Sequence, residues 1–435
     1  MVRSRTSVDQ SMPIDPMKFK QQIFSIRWFF RCISFVCIPV LTCSQERLED
    51  LIVLNKIIQK TPSFRQQIRG QKKREYHELV NTLKSRIDEN NTTFKHFEIL
   101  SELAGQLRDN HFVLRYIPDS SFRWERQADI NYVRQFLKQA HMREHPGVSI
   151  NIDSLETVLK DKPRDEVEGI YYYYQSLEIG VYRKDSATCY GIILKSGLPI
   201  WNKGDMCFVL RERSQNQFHA IQYLISQKTL QLNMNEKFRD GALLEYDIKK
   251  RRAYHSYPFI PDSSKKFITR IIQPDVRYVR LGNFMVNAAN RRESNSFIKL
   301  LEDSVKEQHI ILDLRNNNGG GFTISKKFLK FFISYSRKNK IHVLVNRKTI
   351  SNAEQFLIRL KDHKHVTVFG ETTKGMITYG SNYGKLVPLK SKGLFVYPTD
   401  MSGKKKDLQY ETTGINPDIF LKEDSDWIEQ IIKQL

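Results

Sequence analysis

The chain has 435 residues, 40% of them hydrophobic and 11% aromatic, and its 70 Lys and Arg against 48 Asp and Glu give a formal net charge of +22. That length exceeds a single core and predicts two or three domains, and the apolar content excludes a disordered chain. The basic residues are scattered, not gathered in a stripe, and no nucleic-acid motif accompanies them, so they read as a solvated surface suited to anionic envelope polymers or acidic substrates, with no nucleic-acid partner expected.

Residues 1–43 read as an export leader. Met17-Lys18-Phe19-Lys20 opens a basic segment, and the apolar run CISFVCIPVL follows Arg27 and Arg31. The run is too short and interrupted for a membrane span. It ends in Val40-Leu41-Thr42-Cys43-Ser44, which is similar to a bacterial lipoprotein cleavage box with Cys43 as the lipidated residue. The expectation is an exported protein of the periplasm or outer membrane, lipid-anchored through Cys43; an uncleaved anchor or a soluble secreted form stays open. Of five cysteines only Cys189 and Cys207 lie beyond the leader. Two cannot build a disulfide framework, so one bridge or two buried thiols both fit. No metal-ligand cluster and no cofactor motif is present.

Residues 44–115 carry apolar positions at three- and four-residue intervals in EDLIVLNKIIQ, REYHELVNTLKSRI and TTFKHFEILSELAGQL, which predicts a small helical bundle. Its last helix runs into Arg108-Asp109-Asn110-His111 and an apparent strand, FVLRYI. A histidine at such a junction is ordinarily a packing residue. Residues 116–275 form a linker, polar and partly helical to a boundary at Pro163-Arg164, and then a β-rich domain. Short strands such as GIYYYYQ, LEIGVYR, CYGIILK and MCFVLRE, separated by turn residues, predict an antiparallel sheet or small barrel. The tyrosines at 171–174 could stack on a ligand, but aromatic strand residues are mostly core.

Residues 276–435 are an α/β domain. After the strand YVRLGNF and the helix SNSFIKLLEDSVK come a buried strand (HIILDL), a turn ending in glycines (RNNNGGG), a helix, a second strand (IHVLVN), a helix opening at Ser351 (SNAEQFLIRL) and a third strand (VTVFG). Such alternation predicts βαβ units, whose chemistry lies in the loops at the carboxyl ends of the strands. Ser351 with Glu354 is also a capping box, and that alone accounts for both residues. The same helix start nevertheless offers unpaired N–H groups to a nucleophile and an oxyanion.

At these residues the chain resembles a family. ILDLRNNNGGG fits the D-L-R-x-N-x-G-G pattern of the serine peptidases that include C-terminal processing (tail-specific) proteases, the tricorn protease core and interphotoreceptor retinoid-binding protein. VLVNRKTISNAEQF resembles the nucleophile segment, VTVFGETTKG the following G-x-x-T-x-G turn, and YETTGINPDI the closing G-I-x-P-D-I element, all in the family's order. The resemblance implies a crotonase-like (ClpP-like) α/β fold, a polypeptide substrate and hydrolysis of its peptide bonds. Tail-specific relatives carry a PDZ domain, whose carboxylate-binding loop is not recognisable here. Their catalytic lysine follows the glycine of the turn, where this chain has Met376; Lys374 would project to the opposite side. Methionine cannot accept a proton from serine. The tricorn-like set implies instead Ser351 as nucleophile, His111 as base, Asn110 before it where tricorn has serine, and Glu411 three residues before Gly414, the Asn110 amide accepting from the imidazole N–H and donating to Glu411. The oxyanion hole would draw on Gly319 or Gly320 and on Asn352. The substituted tetrad position also fits a weakly active or inactive member that binds peptides or apolar ligands in the same cleft.

Overall fold

The computed structural model describes residues 43–118, 120–252, 266–381 and 384–435. The expected leader thus lies, apart from Cys43, outside the described residues. Cys43 is an exposed free thiol, and no helix among the described residues is long and apolar enough to cross a membrane.

Four helices come first: α1 (Cys43–Lys60), α2 (Pro62–Gln67), α3 (Gln71–Ser85) and α4 (Thr93–Ala104). Thr61 and Thr92 cap α2 and α4 by accepting backbone N–H groups with their side chains, the usual solution for orphan donors at a helix start. After β1 (Val113–Tyr116) come short helices α5 (Ile130–Leu137), α6 (Ala140–Arg143) and α7 (Ile152–Lys160). Eight strands follow: β2 (Gly169–Tyr173), β3 (Leu177–Arg183), β4 (Thr188–Ser196), β5 (Met206–Ser214), β6 (Gln217–Tyr223), β7 (Leu230–Arg239), β8 (Ala242–Leu243) and β9 (Ile248–Lys249). Neighbours run antiparallel, and β7 pairs with β8 as well as β6, so β2 to β9 close into a barrel that removes most free edges. The other end of β7 takes up β1. One apolar core, from Leu51 and Phe97 in the helices to Tyr171, Phe208 and Leu232 in the barrel, spans both parts.

The second sheet has six strands. β10 (Phe267–Gln273) forms an antiparallel edge on β11 (Val276–Leu281), and β12 (His309–Asp313), β13 (Lys340–Val345), β14 (Val366–Gly370) and, after β15 (Val387–Pro388) and β16 (Leu394–Tyr397), β17 (Ile419–Phe420) continue it in parallel. α8 (Ala288–Ser304), α9 (Phe322–Tyr335) and α10 (Asn352–Lys361) join the first strands by crossovers, and α11 (Trp427–Ile432) ends the chain. Strand side chains alternate between two cores. Ile310, Leu312, Ile341 and Val343 face α8 to α10, whereas Ile311, Leu344 and Phe369 face Trp427 and Ile431 of α11. β10 precedes the boundary expected at residue 275, because its hairpin with β11 turns at Pro274-Asp275 and reads as a break. β16 leaves the α/β domain and pairs with β1 of the first sheet.

The barrel meets loops of the α/β domain through polar groups. Asn235 donates to the Lys374 carbonyl at 2.5 Å and Lys237 to the Thr413 carbonyl at 2.5 Å. Arg347, 4% exposed, pairs with Glu371 of its own domain and with Asp247 of the barrel.

Candidate active site

Two loops at the carboxyl ends of β12 and β13 are stapled side by side. Asn316 and Asn346 exchange hydrogen bonds at 3.0 and 2.7 Å, Thr349 Oγ1 donates to the Leu314 carbonyl at 2.9 Å, and the Ile350 N–H donates to the Asn317 carbonyl at 2.9 Å. Fully buried Asn317 anchors the glycine turn by donating to the Leu281 carbonyl and accepting the Gly319 N–H. Ser351 then enters α10 with φ +58° and ψ −118°. A non-glycine residue held there costs about 1–3 kcal/mol, the kind of strain that collects at functional turns.

Glu354 is what ties this turn down. Its buried carboxylate accepts the N–H of Ser351 (3.0 Å), of Gly375 (2.7 Å) and of Met376 (2.9 Å), and the Thr373 hydroxyl (2.6 Å). The capping-box glutamate of the sequence therefore also fastens the 373–376 loop to the start of α10.

His111 arrives from the α4–β1 connection. Its Nε2 lies 3.2 Å from Ser351 Oγ, although the residues are 240 positions apart. Its Nδ1 is enclosed and meets no hydrogen-bond partner, and burial holds its pKa down to about 4. The ring is therefore neutral at pH 7, the form a general base needs.

Glu411 is fully buried. It accepts the N–H groups of Asn110 (2.8 Å), Ile377 (2.9 Å) and Thr378 (2.8 Å). Burial, then the nearby Asp109 carboxylate, push its pKa up to about 8 against these donors. Asn110 does not relay through its amide as the sequence suggests. Its backbone N–H reaches Glu411, while its side chain turns away to donate to the Gly375 carbonyl at 2.9 Å. The physical reason is the tight turn 109–112, closed by a Phe112 N–H to Asp109 carbonyl bond, which directs the backbone at the acid.

Asp109 and Arg108 were given no role by the sequence. Asp109, fully buried, accepts the His111 N–H (3.2 Å) and the Thr399 hydroxyl (2.7 Å). Asp109, His111 and Glu411 each offer an atom within 4.8 Å of the others. Both carboxylates are engaged by N–H and hydroxyl donors. Arg108 clamps the opposite loop, donating to the carbonyls of Leu408 (3.1 Å) and Glu411 (2.6 Å). Only the D-x-H spacing hinted at Asp109.

The oxyanion candidates divide. The Gly319 N–H is occupied by Asn317, whereas those of Gly320 and Asn352 meet no acceptor among the described residues. Gly319 is packed so closely that a Cβ would lie 2.8 Å from Asn352 N and 2.9 Å from Ser351 Cβ. Lys374 Nζ is paired with Glu245 of the barrel, and Met376 contributes its N–H to Glu354.

Residues 325–421, which include Ser351 and Glu411, match the family model for peptidase family S41. The chain carries a peptidase family S41 domain. Two curated relatives, both probable CtpA-like serine proteases of Staphylococcus epidermidis, are 27% identical over 175 and 177 residues, which is 33% of this chain and 35% of each relative. The match thus spans about a third of the length of those relatives. Among solved structures, mature CPAF complexed with lactacystin is 11% identical with a TM-score of 0.41, covering 90% of this chain and 98% of that one. The photosystem II D1 C-terminal processing protease is 16% identical with a TM-score of 0.35, covering 89% and 96%. His111, the base candidate beside the S41 domain, lies outside the matched range.

Burial of histidine has a measurable cost for this chain. His111, His219 and His342 are held down to about 4 and His145 to about 2, each chiefly by burial. Above the unfolded pKa of about 6.5 both states are neutral. As pH falls below that value the unfolded chain takes up protons that the folded one refuses, so stability declines until each folded pKa is passed. The raised carboxyls of Glu236 and Glu411 act in the opposite sense over the same window, so the test is comparative. His219→Gln, which removes one buried neutral histidine, should make the thermal midpoint fall less, or rise more, between pH 6.5 and 4 than in the parent, and an unchanged pH dependence would contradict neutral burial of His219.

Proposed function

We propose that this chain is a serine endopeptidase that cleaves polypeptides by a Ser351–His111 mechanism. The observation that carries the reading is the 3.2 Å approach of His111 Nε2 to Ser351 Oγ beside two free N–H groups. Neutral His111 takes the Ser351 proton as Oγ attacks a peptide carbonyl, and returns it to the leaving amine; water then repeats the sequence on the acyl-enzyme. Gly320 and Asn352 N–H groups face the developing oxyanion, each worth roughly 3 kcal/mol in such sites. Asp109, within 4.8 Å of His111, offsets the imidazolium charge, and Glu411, protonated near neutrality, positions the 109–111 turn through the Asn110 N–H. The α/β domain fits the crotonase-like kind, and the basic chain with its leader fits an envelope location with Cys43 as lipid anchor.

The test is labelling with a serine-reactive fluorophosphonate together with casein hydrolysis. Label on Ser351 that is lost with His111→Ala supports the mechanism. The enclosed Nδ1 without an acceptor favours a second reading, a weakly active member that binds peptides; absence of both label and hydrolysis in the folded chain would select it. Lys374→Ala separates the two family mechanisms. Because Lys374 is committed to Glu245, the variant is expected to hydrolyse casein within about threefold of the parent, whereas a lysine-base mechanism would lose nearly all activity.

A further inference from the structure

A cleft of about 520 Å³ opens between the helical bundle and the barrel, bordered by residues 105–108 and by Thr412 and Thr413. Its size falls within the range of small-molecule sites. Ile68, Tyr76, Leu107, Phe218 and Met234 give it an apolar floor. His219 lines it as well, its ring laid so closely on Gly105 that a Cβ there would lie 2.8 Å from Nδ1.

The charges around this floor do not balance. Lys72 and Arg213, exposed on the rim, have no ion-pair partner among the described residues. Arg108 spends its guanidinium on two carbonyls and the Thr412 hydroxyl and makes no ion pair among the described residues. Against these three cations stand Glu75 and Glu236. The Glu236 carboxylate is turned inward onto the N–H groups of Lys237, Glu245 and Tyr246, and burial pushes its pKa up to about 8. An apolar floor under a rim of unpaired cations selects one ligand chemistry.

We infer that this cleft is a binding site for a small amphipathic anion, its apolar body on Phe218, Met234 and Leu107 and its acid group between Lys72, Arg108 and Arg213. The site is built into the catalytic support. Arg108 and Thr412 line it and flank Asp109 and Glu411 in sequence, so an anion that draws on Arg108 competes with the carbonyls of Leu408 and Glu411 and loosens the Glu411 loop.

The test uses 8-anilinonaphthalene-1-sulfonate on the full chain, with uncharged N-phenyl-1-naphthylamine as comparison. Saturable fluorescence is expected with the sulfonate, about tenfold weaker with the neutral dye and with either Lys72→Glu or Arg213→Glu, as for loss of one charged hydrogen bond. Both substitutions are at exposed positions, so folding is preserved. Hydrogen exchange read by mass spectrometry should change on sulfonate binding in residues 105–112 and 408–414. Affinity indifferent to both charge reversals, absence of saturable binding, or unchanged exchange in both loops would overturn the inference. None of these readouts depends on Ser351 chemistry, so their failure is separate from failure of the peptidase reading.

Discussion

Replacing His111 with alanine is expected to lower casein hydrolysis by about 10²- to 10⁴-fold, the usual worth of a positioned general base, and Ser351→Ala to leave no turnover above background. The two should share one phenotype, because among the described residues His111 is the base within hydrogen-bond reach of the Ser351 hydroxyl. Met376 occupies the position where a lysine base would stand and has no group to take a proton. Lys374 is held by Glu245 at the barrel. In the parent protein the acid limb of the rate profile should lie well below neutrality, since burial holds the His111 pKa to about 4 and protonation there removes the base. Substrate binding that buries the ring further would move this limb lower still. Full hydrolysis by His111→Ala, with Ser351→Ala inactive, would require another base and would break the assignment.

The barrel and the parallel sheet were legible for different reasons. Barrel strands announce themselves by short alternating runs between turn residues, and β2 to β7 lie where those runs predict. β10 was not legible, because an edge strand with Ile271 exposed lacks the apolar density that marks β12 and β13. The pairing of β16 with β1 was illegible in principle, since it joins segments some 280 residues apart by backbone bonds that any side chain allows.

The site divides along the same line. Ser351, His111 and Glu411 could be named from ordered motifs, and the structure brings all three together. Asn110 was assigned an amide relay that the structure does not form: its backbone N–H meets Glu411, its amide donates to the Gly375 carbonyl, and His111 Nδ1 meets no partner. Asp109 was passed over because its importance comes from burial beside Glu411, a property of the folded chain. The choice between Gly319 and Gly320 likewise turns on Asn317, whose carbonyl oxygen consumes one N–H and leaves the other free. Spacing specifies which backbone passes the nucleophile; hydrogen-bond occupancy specifies which donor remains for the substrate.

Gly320→Ala tests that last distinction and should have a large effect for one added methyl group. Gly320 has φ +138°, and a Cβ there would lie 2.0 Å from the Phe284 carbonyl oxygen and 2.4 Å from Met285 N. Neither neighbour can yield cheaply. Phe284 is fully buried, its N–H donates to the Gly319 carbonyl at 2.8 Å, and its carbonyl accepts the Gly321 N–H at 2.9 Å. Relief of the clash must therefore break this short backbone pairing or displace the turn, and Gly319 transmits any displacement to Ser351, which it already touches. Loss of the oxyanion donor alone would lower kcat by roughly 10²- to 10³-fold. The displaced nucleophile adds to it, so hydrolysis should fall at least about 10³-fold, with a lowered thermal midpoint. Gly197→Ala is the control. Its Cβ would meet nothing closer than the Ser176 carbonyl at 3.5 Å in ordinary backbone conformation, and it should leave rate and stability unchanged. If Gly320→Ala folds and hydrolyses casein at the parental rate, the oxyanion must be held elsewhere, and the free N–H of Gly320 would then serve no step of the reaction.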